Sequence, residues 1–146
     1  MTSATTPSPC SPGTPNAPTV SAVASDGYAK GLAIRTQVMG EAFVAAAFAT
    51  ASPFTQPIQE HITRAAWGDV WQRPGLDLKT RSLITVAMLT ALGKQNELKG
   101  HVRGALNNGA TEQEIQEVLL HAAVYCGVPA AAEAFRSANE VVSPKI

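Results

Sequence analysis

Cysteine, aromatic side chains and surplus charge are all scarce in this sequence, and each shortage removes a class of protein. Two cysteines, Cys10 and Cys126, stand far apart with no CxxC. That spacing argues against a redox pair, a thiolate zinc site or a disulfide framework. Cys126 reads as a small core residue. The 11 basic residues balance 11 acidic ones and form no tract, so nucleic-acid binding is disfavoured. No apolar run is long enough to cross a bilayer. The N-terminus lacks a positive segment followed by an apolar one, and the first 30 residues contain no arginine. Neither a secretory signal nor a transit peptide is expected, and a cytoplasmic protein without a membrane partner is. β-branched residues never gather into alternating runs, so strands are not expected either.

What the chain does contain is alanine. Hydrophobic residues make up 45% of 146 positions, enough for one domain with a real core, and alanine favours helices. Residues 1–24 are mostly Thr, Ser, Pro, Ala and Gly and read as a flexible tail, which cannot bury enough apolar surface to offset its ordering entropy. Residues 25–146 read as the domain. Ser25 or Asp26 can cap a first helix that Gly40 interrupts, and a short helix from Glu41 to about Ala49 follows. Ser52-Pro53 predicts a helix from about Pro53 to Trp67, with Ile58 and Ile62 inward. Gly68 to Gly75 then reads as a loop holding Trp71, with Trp67 just before it. Two indoles this close either line a concavity or contact, or plug the end of a bundle.

Asp77 caps a helix from Leu78 to Leu92 whose apolar residues run nearly all round, the mark of a bundle centre or an interface. Gly93 stops it. The next helix, about Gln95 to Asn107, has an inward stripe of Leu98, Val102, Ala105 and Leu106. Its Gly100 and Gly104 allow another helix to come close. Thr111 and Glu114 form a capping box, Gly127 ends that helix, and Pro129 opens the last one at its first position. The short connections predict an all-α, compact helical bundle of about six helices.

Few residues here carry chemistry. Glu97 and His101 share a helix face at i,i+4 spacing. A carboxylate there can orient the imidazole and raise its pKa, giving a general acid or base. An ordinary exposed pair is the plainer reading. Arg81, one turn into an apolar helix, needs an anionic partner, either a neighbouring acid such as Glu97 or a bound carboxylate. Glu117, His121 and Tyr125 repeat at helical spacing, as a packed or solvated stripe does. A metal site from His61, Glu97 and His101 is conceivable but has no supporting spacing. No Ser–His–Asp pattern, phosphate loop or HExxH occurs.

Two longer elements carry a resemblance. WGDVWQRPGLDLKTRSLITVAMLTALG, followed by ELKGHVRGALNNGAT and EIQEVLLHAAVYCGVPAA, resembles the carboxymuconolactone decarboxylase family from about Tyr28 to Val142. The resemblance implies an all-α subunit that assembles into homo-oligomeric rings, trimeric or hexameric. It implies cofactor-free decarboxylation of a carboxylated lactone in aromatic-compound catabolism, with no metal. Peroxidases of the same superfamily use CxxCxxxH. Here the histidine position is His101, but the cysteine positions hold Lys94 and Glu97, so no disulfide can cycle. Carried onto this chain, the reading makes His101 the proton donor and Glu97 its orienter. Arg81 holds a carboxylate or oxyanion, and Trp67 or Trp71 closes the pocket. The alternatives are a related lyase or isomerase on another lactone or keto acid, and a non-catalytic ring that binds a small acid.

Overall fold

A computed structural model describes the backbone of residues 20–143 and the side chains of residues 26–143. Most of the expected tail lies outside these residues. Within them the chain is wholly helical, with seven α-helices and one π-helix. They are α1 (Val20–Met39), α2 (Glu41–Ala49), α3 (Gln56–His61), the π-helix (Ile62–Trp71), α4 (Leu78–Ala91), α5 (Gln95–Asn107), α6 (Glu112–Cys126) and α7 (Val128–Val142).

The second half follows its local signals. The Asp77 carboxylate accepts from the Thr80 amide at 2.8 Å and so fixes the first turn of α4. Gly93 takes the left-handed φ of 64° that lets α4 stop and α5 turn back. Thr111 and Glu114 exchange both hydrogen bonds of the capping box. Lys79 reaches Glu114 at 2.6 Å and ties α4 to α6. These helices and α7 enclose an aliphatic core that includes Val86, Leu98, Val102, Ile115 and Leu119.

The first half departs from expectation at several points. Helix α1 already runs from Val20, so Ser25 and Asp26 lie inside it and cap nothing. The predicted Pro53–Trp67 helix begins later, at Gln56, and Ile58 is exposed. It also does not stop at Trp67. It changes to i→i+5 bonding and continues to Trp71, so both tryptophans are helical and buried. The loop is correspondingly shorter. A backbone contact explains the course. A Cβ on Gly31 would sit 2.2 Å from the Thr63 carbonyl oxygen, and one on Gly68 would sit 2.6 Å from that of Gly27. Helix α1 and the π-helix thus touch backbone to backbone. With α2 they form a second core of Val38, Met39, Val44, Trp67 and Trp71.

Helix α5 lies between the two cores. Its Leu98–Val102–Ala105 face joins the aliphatic core. Its Gly100–Gly104 face admits α1, as expected: a Cβ on Gly104 would lie 3.1 Å from Val38 Cγ1. Three further expectations need correction. Helix α4 is not buried on most sides within one chain, because Ile84, Met88 and Leu92 are exposed. Cys126 is exposed as well: it is the last residue of α6 before Gly127, at the edge of the packing. Pro129 is one residue further into α7 than expected. Among the described residues no single helix is long and apolar enough to cross a membrane.

Candidate active site

His101 projects from α5 at the seam between the two cores and meets both tryptophans. Its ring lies 6.2 Å from Trp67, nearly parallel at 5°, and 6.2 Å from Trp71 at 30°. The two indoles are 4.5 Å apart, tilted by 35°. The π-helix makes this possible, because Thr63, Trp67 and Trp71, at successive fourth positions, all face inward. His101 Nδ1 is buried and has no hydrogen-bond partner.

The expected influence of Glu97 on His101 is reversed in outcome. Burial against the indoles lowers the imidazole pKa below its ordinary value, and the opposing charge of Glu97 does not overcome this. Glu97 is itself exposed. The free site therefore holds a neutral imidazole near pH 7, one ring nitrogen of which is a buried atom in search of a partner.

Trp71 has a second role. It forms one wall of a cavity of about 210 Å³ whose other walls are Val70, Leu76, Arg81, Ile84, Thr85 and Met88. Arg81 supplies the charge in this cavity. One of its terminal nitrogens donates to the Arg73 carbonyl at 2.9 Å, which holds the loop to α4. Its Nε is buried without a partner. Among the described residues no carboxylate lies within ion-pair distance of Arg81, so the pairing with Glu97 does not form. Arg81 and Trp71 thus share one cavity, Trp71 and Trp67 contact His101, and Glu97 stands outside it. His101 backs the Trp71 wall and is not itself part of the lining.

A larger groove of about 540 Å³ runs between α4 and α6. It takes in the Glu117–His121–Tyr125 stripe, with the His121 and Tyr125 rings 4.7 Å apart, and it shares Ile84 with the smaller cavity. Its size does not make it the better site for an acid. Glu117 is its one carboxylate and no arginine or lysine lines it, so an anion would meet apolar walls and like charge. Among the described residues no three His, Cys, Asp or Glu side chains come close enough to hold a metal ion, and His61 is exposed on α3.

Comparison with known proteins gives this geometry a context. Residues 56–140, from the start of α3 into α7, match the Carboxymuconolactone decarboxylase family. The chain belongs to that family. The 4-carboxymuconolactone decarboxylase of Acinetobacter baylyi is 46% identical over 114 residues, covering 78% of this chain and 85% of the relative. The nitrosuccinic acid decarboxylase of Metarhizium robertsii is 47% identical over 119 residues, covering 82% and 83%. The two relatives are decarboxylases named for two different acids, and they lie at nearly equal distance from this chain.

Sequence reasoning missed Arg35, a buried cation on α1, and the glycine contact beneath it. A signal was present: Gly27, Gly31 and Arg35 recur at fourth positions, the same spacing that flagged Gly100 and Gly104.

Proposed function

We propose that the protein is a cofactor-independent decarboxylase of 4-carboxymuconolactone, giving 3-oxoadipate enol-lactone in the catabolism of protocatechuate. The observation that carries this reading is an arginine without an ion-pair partner in a small cavity whose Trp71 wall lies against a half-buried histidine. The substrate is a γ-lactone with a carboxylate on the carbon beside the ring oxygen and an acetate arm. When the C–CO₂⁻ bond breaks, its electron pair passes through the ring alkene into the lactone carbonyl. The product of that step is a dienolate, so the substrate is its own electron sink. The protein must hold the anions, stabilise the enolate oxygen and protonate the ring carbon next to the carbonyl.

Arg81 binds a substrate carboxylate or the developing oxyanion, and its buried Nε gains an acceptor when it does. His101 delivers the proton, which requires the Trp71 ring between it and the Arg81 cavity to swing aside when substrate binds. Because burial keeps the free imidazole neutral, it must be loaded first. A dianionic substrate beside it favours the charged form and draws in that proton. Glu97 works in the same direction from the exposed side of α5. Trp67 and Trp71 exclude water from the imidazole. The site is read here within a cytoplasmic homo-oligomeric ring, trimeric or hexameric. The exposed Ile84 and Met88 on α4, and Leu92 just after it, support such a contact face.

The similarity to a nitrosuccinic acid decarboxylase favours a second reading. A nitro group beside the scissile carbon also accepts the electron pair, as a nitronate, and calls for the same cation and proton donor. Assaying purified wild type and His101→Ala on both acids separates the readings. Turnover of the lactone, with a loss of about a hundred- to ten-thousand-fold in the variant, is expected. An inert wild type on the lactone rejects the substrate, and full rate in His101→Ala rejects the proton donor.

A further inference from the structure

We propose that Arg35 is a positioning residue for this reaction. From α1, its guanidinium pins the junction between α3 and the π-helix and thereby sets the tryptophan pair that holds His101. The inference rests on the reading of His101 as proton donor.

Arg35 is 5% exposed. One terminal nitrogen donates to Thr63 Oγ1 at 2.9 Å and the other to Gln59 Oε1 at 2.7 Å. The guanidinium also lies 5.3 Å from the centre of the Phe48 ring on α2. Among the described residues it forms no ion pair with a carboxylate. A charge buried without a counter-charge gives up its hydration, and a methionine would fill the same space without that loss. Burial accordingly lowers the arginine pKa, with Tyr28 acting in the other direction. What a methionine cannot supply is a rigid fork of N–H donors aimed at two acceptors at once.

The placement of those acceptors gives the fork its purpose. Gln59 belongs to α3, whose bonding is i→i+4, and Thr63 is the second residue of the i→i+5 segment. Arg35 therefore bridges the point at which the helix changes. Thr63 Oγ1 also donates to the Gln59 carbonyl at 2.8 Å, which closes the junction from the other side. Beyond it, each residue of the wider helix turns through a smaller angle than an α-helical residue does. Had the chain stayed α-helical, the departure would accumulate along the helix, and Trp71 would swing away from both His101 and the Arg81 cavity. The charge that acts on His101 is Glu97 of its own helix, while the π-helix presents it with uncharged indoles.

The chain has two tryptophans, and both belong to this cluster, so its indole signals report on the cluster alone. The test is Arg35→Met in the full chain, followed by the exciton-coupled circular dichroism of the indole pair. Tryptophan emission against pH reads the titration of His101, and kcat and KM on the lactone are measured beside it. The expected result is a weakened exciton band and a titration midpoint displaced toward the ordinary histidine value. We expect kcat to fall on the order of a hundredfold, as for a small misplacement of a reacting group, with KM little changed. Wild-type spectra overturn the proposal, and so do altered spectra with an unchanged kcat. If Arg35→Met does not fold, Thr63→Val decides in the same way, because it removes the acceptor on the π-helix and leaves the arginine. Failure of the His101 reading is distinguishable, since it is read from His101→Ala alone.

Discussion

The aliphatic half of the molecule and its aromatic half bury their surface by different means. Helices α4 to α7 fit by interlocking Leu, Ile, Val and Ala side chains, and a change in one of these is absorbed locally. Helix α1 and the π-helix fit by bare backbone at Gly27, Gly31 and Gly68, with two indoles and one arginine around the contact. Backbone cannot repack. The half with less freedom is the one that carries the tryptophans, and His101 sits where the two halves meet. Positional accuracy is thus concentrated on the side of the fold that touches the imidazole.

Substitutions can break this comparison, and the strongest is Gly31→Ala. The added methyl would meet the Thr63 carbonyl and the Gly68 amide, neither of which can move without separating two helices. Overpacking of an ordinary core costs about 1–3 kcal/mol, and this change should meet or exceed the top of that range. Chemical denaturation measures the loss. The surviving folded fraction should show disturbed indole dichroism and impaired turnover per folded molecule. Leu98→Ala follows, at about 2–5 kcal/mol, since the side chain is wholly buried. Here the indole signals and the turnover of the folded fraction should stay near wild type. Equal damage to the indole signals by both substitutions would remove the distinction between the halves.

The smallest effect is one of pH. The folded state lowers the His101 pKa, so the unfolded chain binds that proton more readily. The sign follows: stability is full above the ordinary histidine value and declines as pH falls toward the lower folded value. Thermal unfolding of wild type and His101→Gln should diverge in that acid window, the variant lacking this step. Parallel curves would mean that the indoles do not shield the ring.

The same division governs what the sequence reveals. Helices α4 to α7 are written in local signals, namely the Asp77 cap, the Thr111–Glu114 box and the glycines at 93, 109 and 127. The aromatic half has no such signals. A π-helix has no capping residue of its own, and the segment from Ile62 to Trp71 reads as a helix end because Gly68 looks like a breaker when it is a contact. Arg81 was visible as a cation one turn into an apolar helix, and His101 by its i,i+4 spacing from Glu97. The lowered pKa of His101 was not visible. Its cause lies on another helix about 30 residues away, whereas Glu97, one turn back, was the only neighbour in view.

Part of the wall of the Arg81 cavity contributes little to folding. Val70 and Leu76, which lie outside the proposed contact face, are 48% and 44% exposed, and neither belongs to either set of buried core residues. Exposed positions of this kind usually change stability by no more than about 0.5 kcal/mol when substituted. The shape of the recess can therefore be rewritten by mutation while the arginine, the indoles and the imidazole stay where the two cores hold them. A fold arranged this way leaves the shape of the recess open to change at little cost in stability.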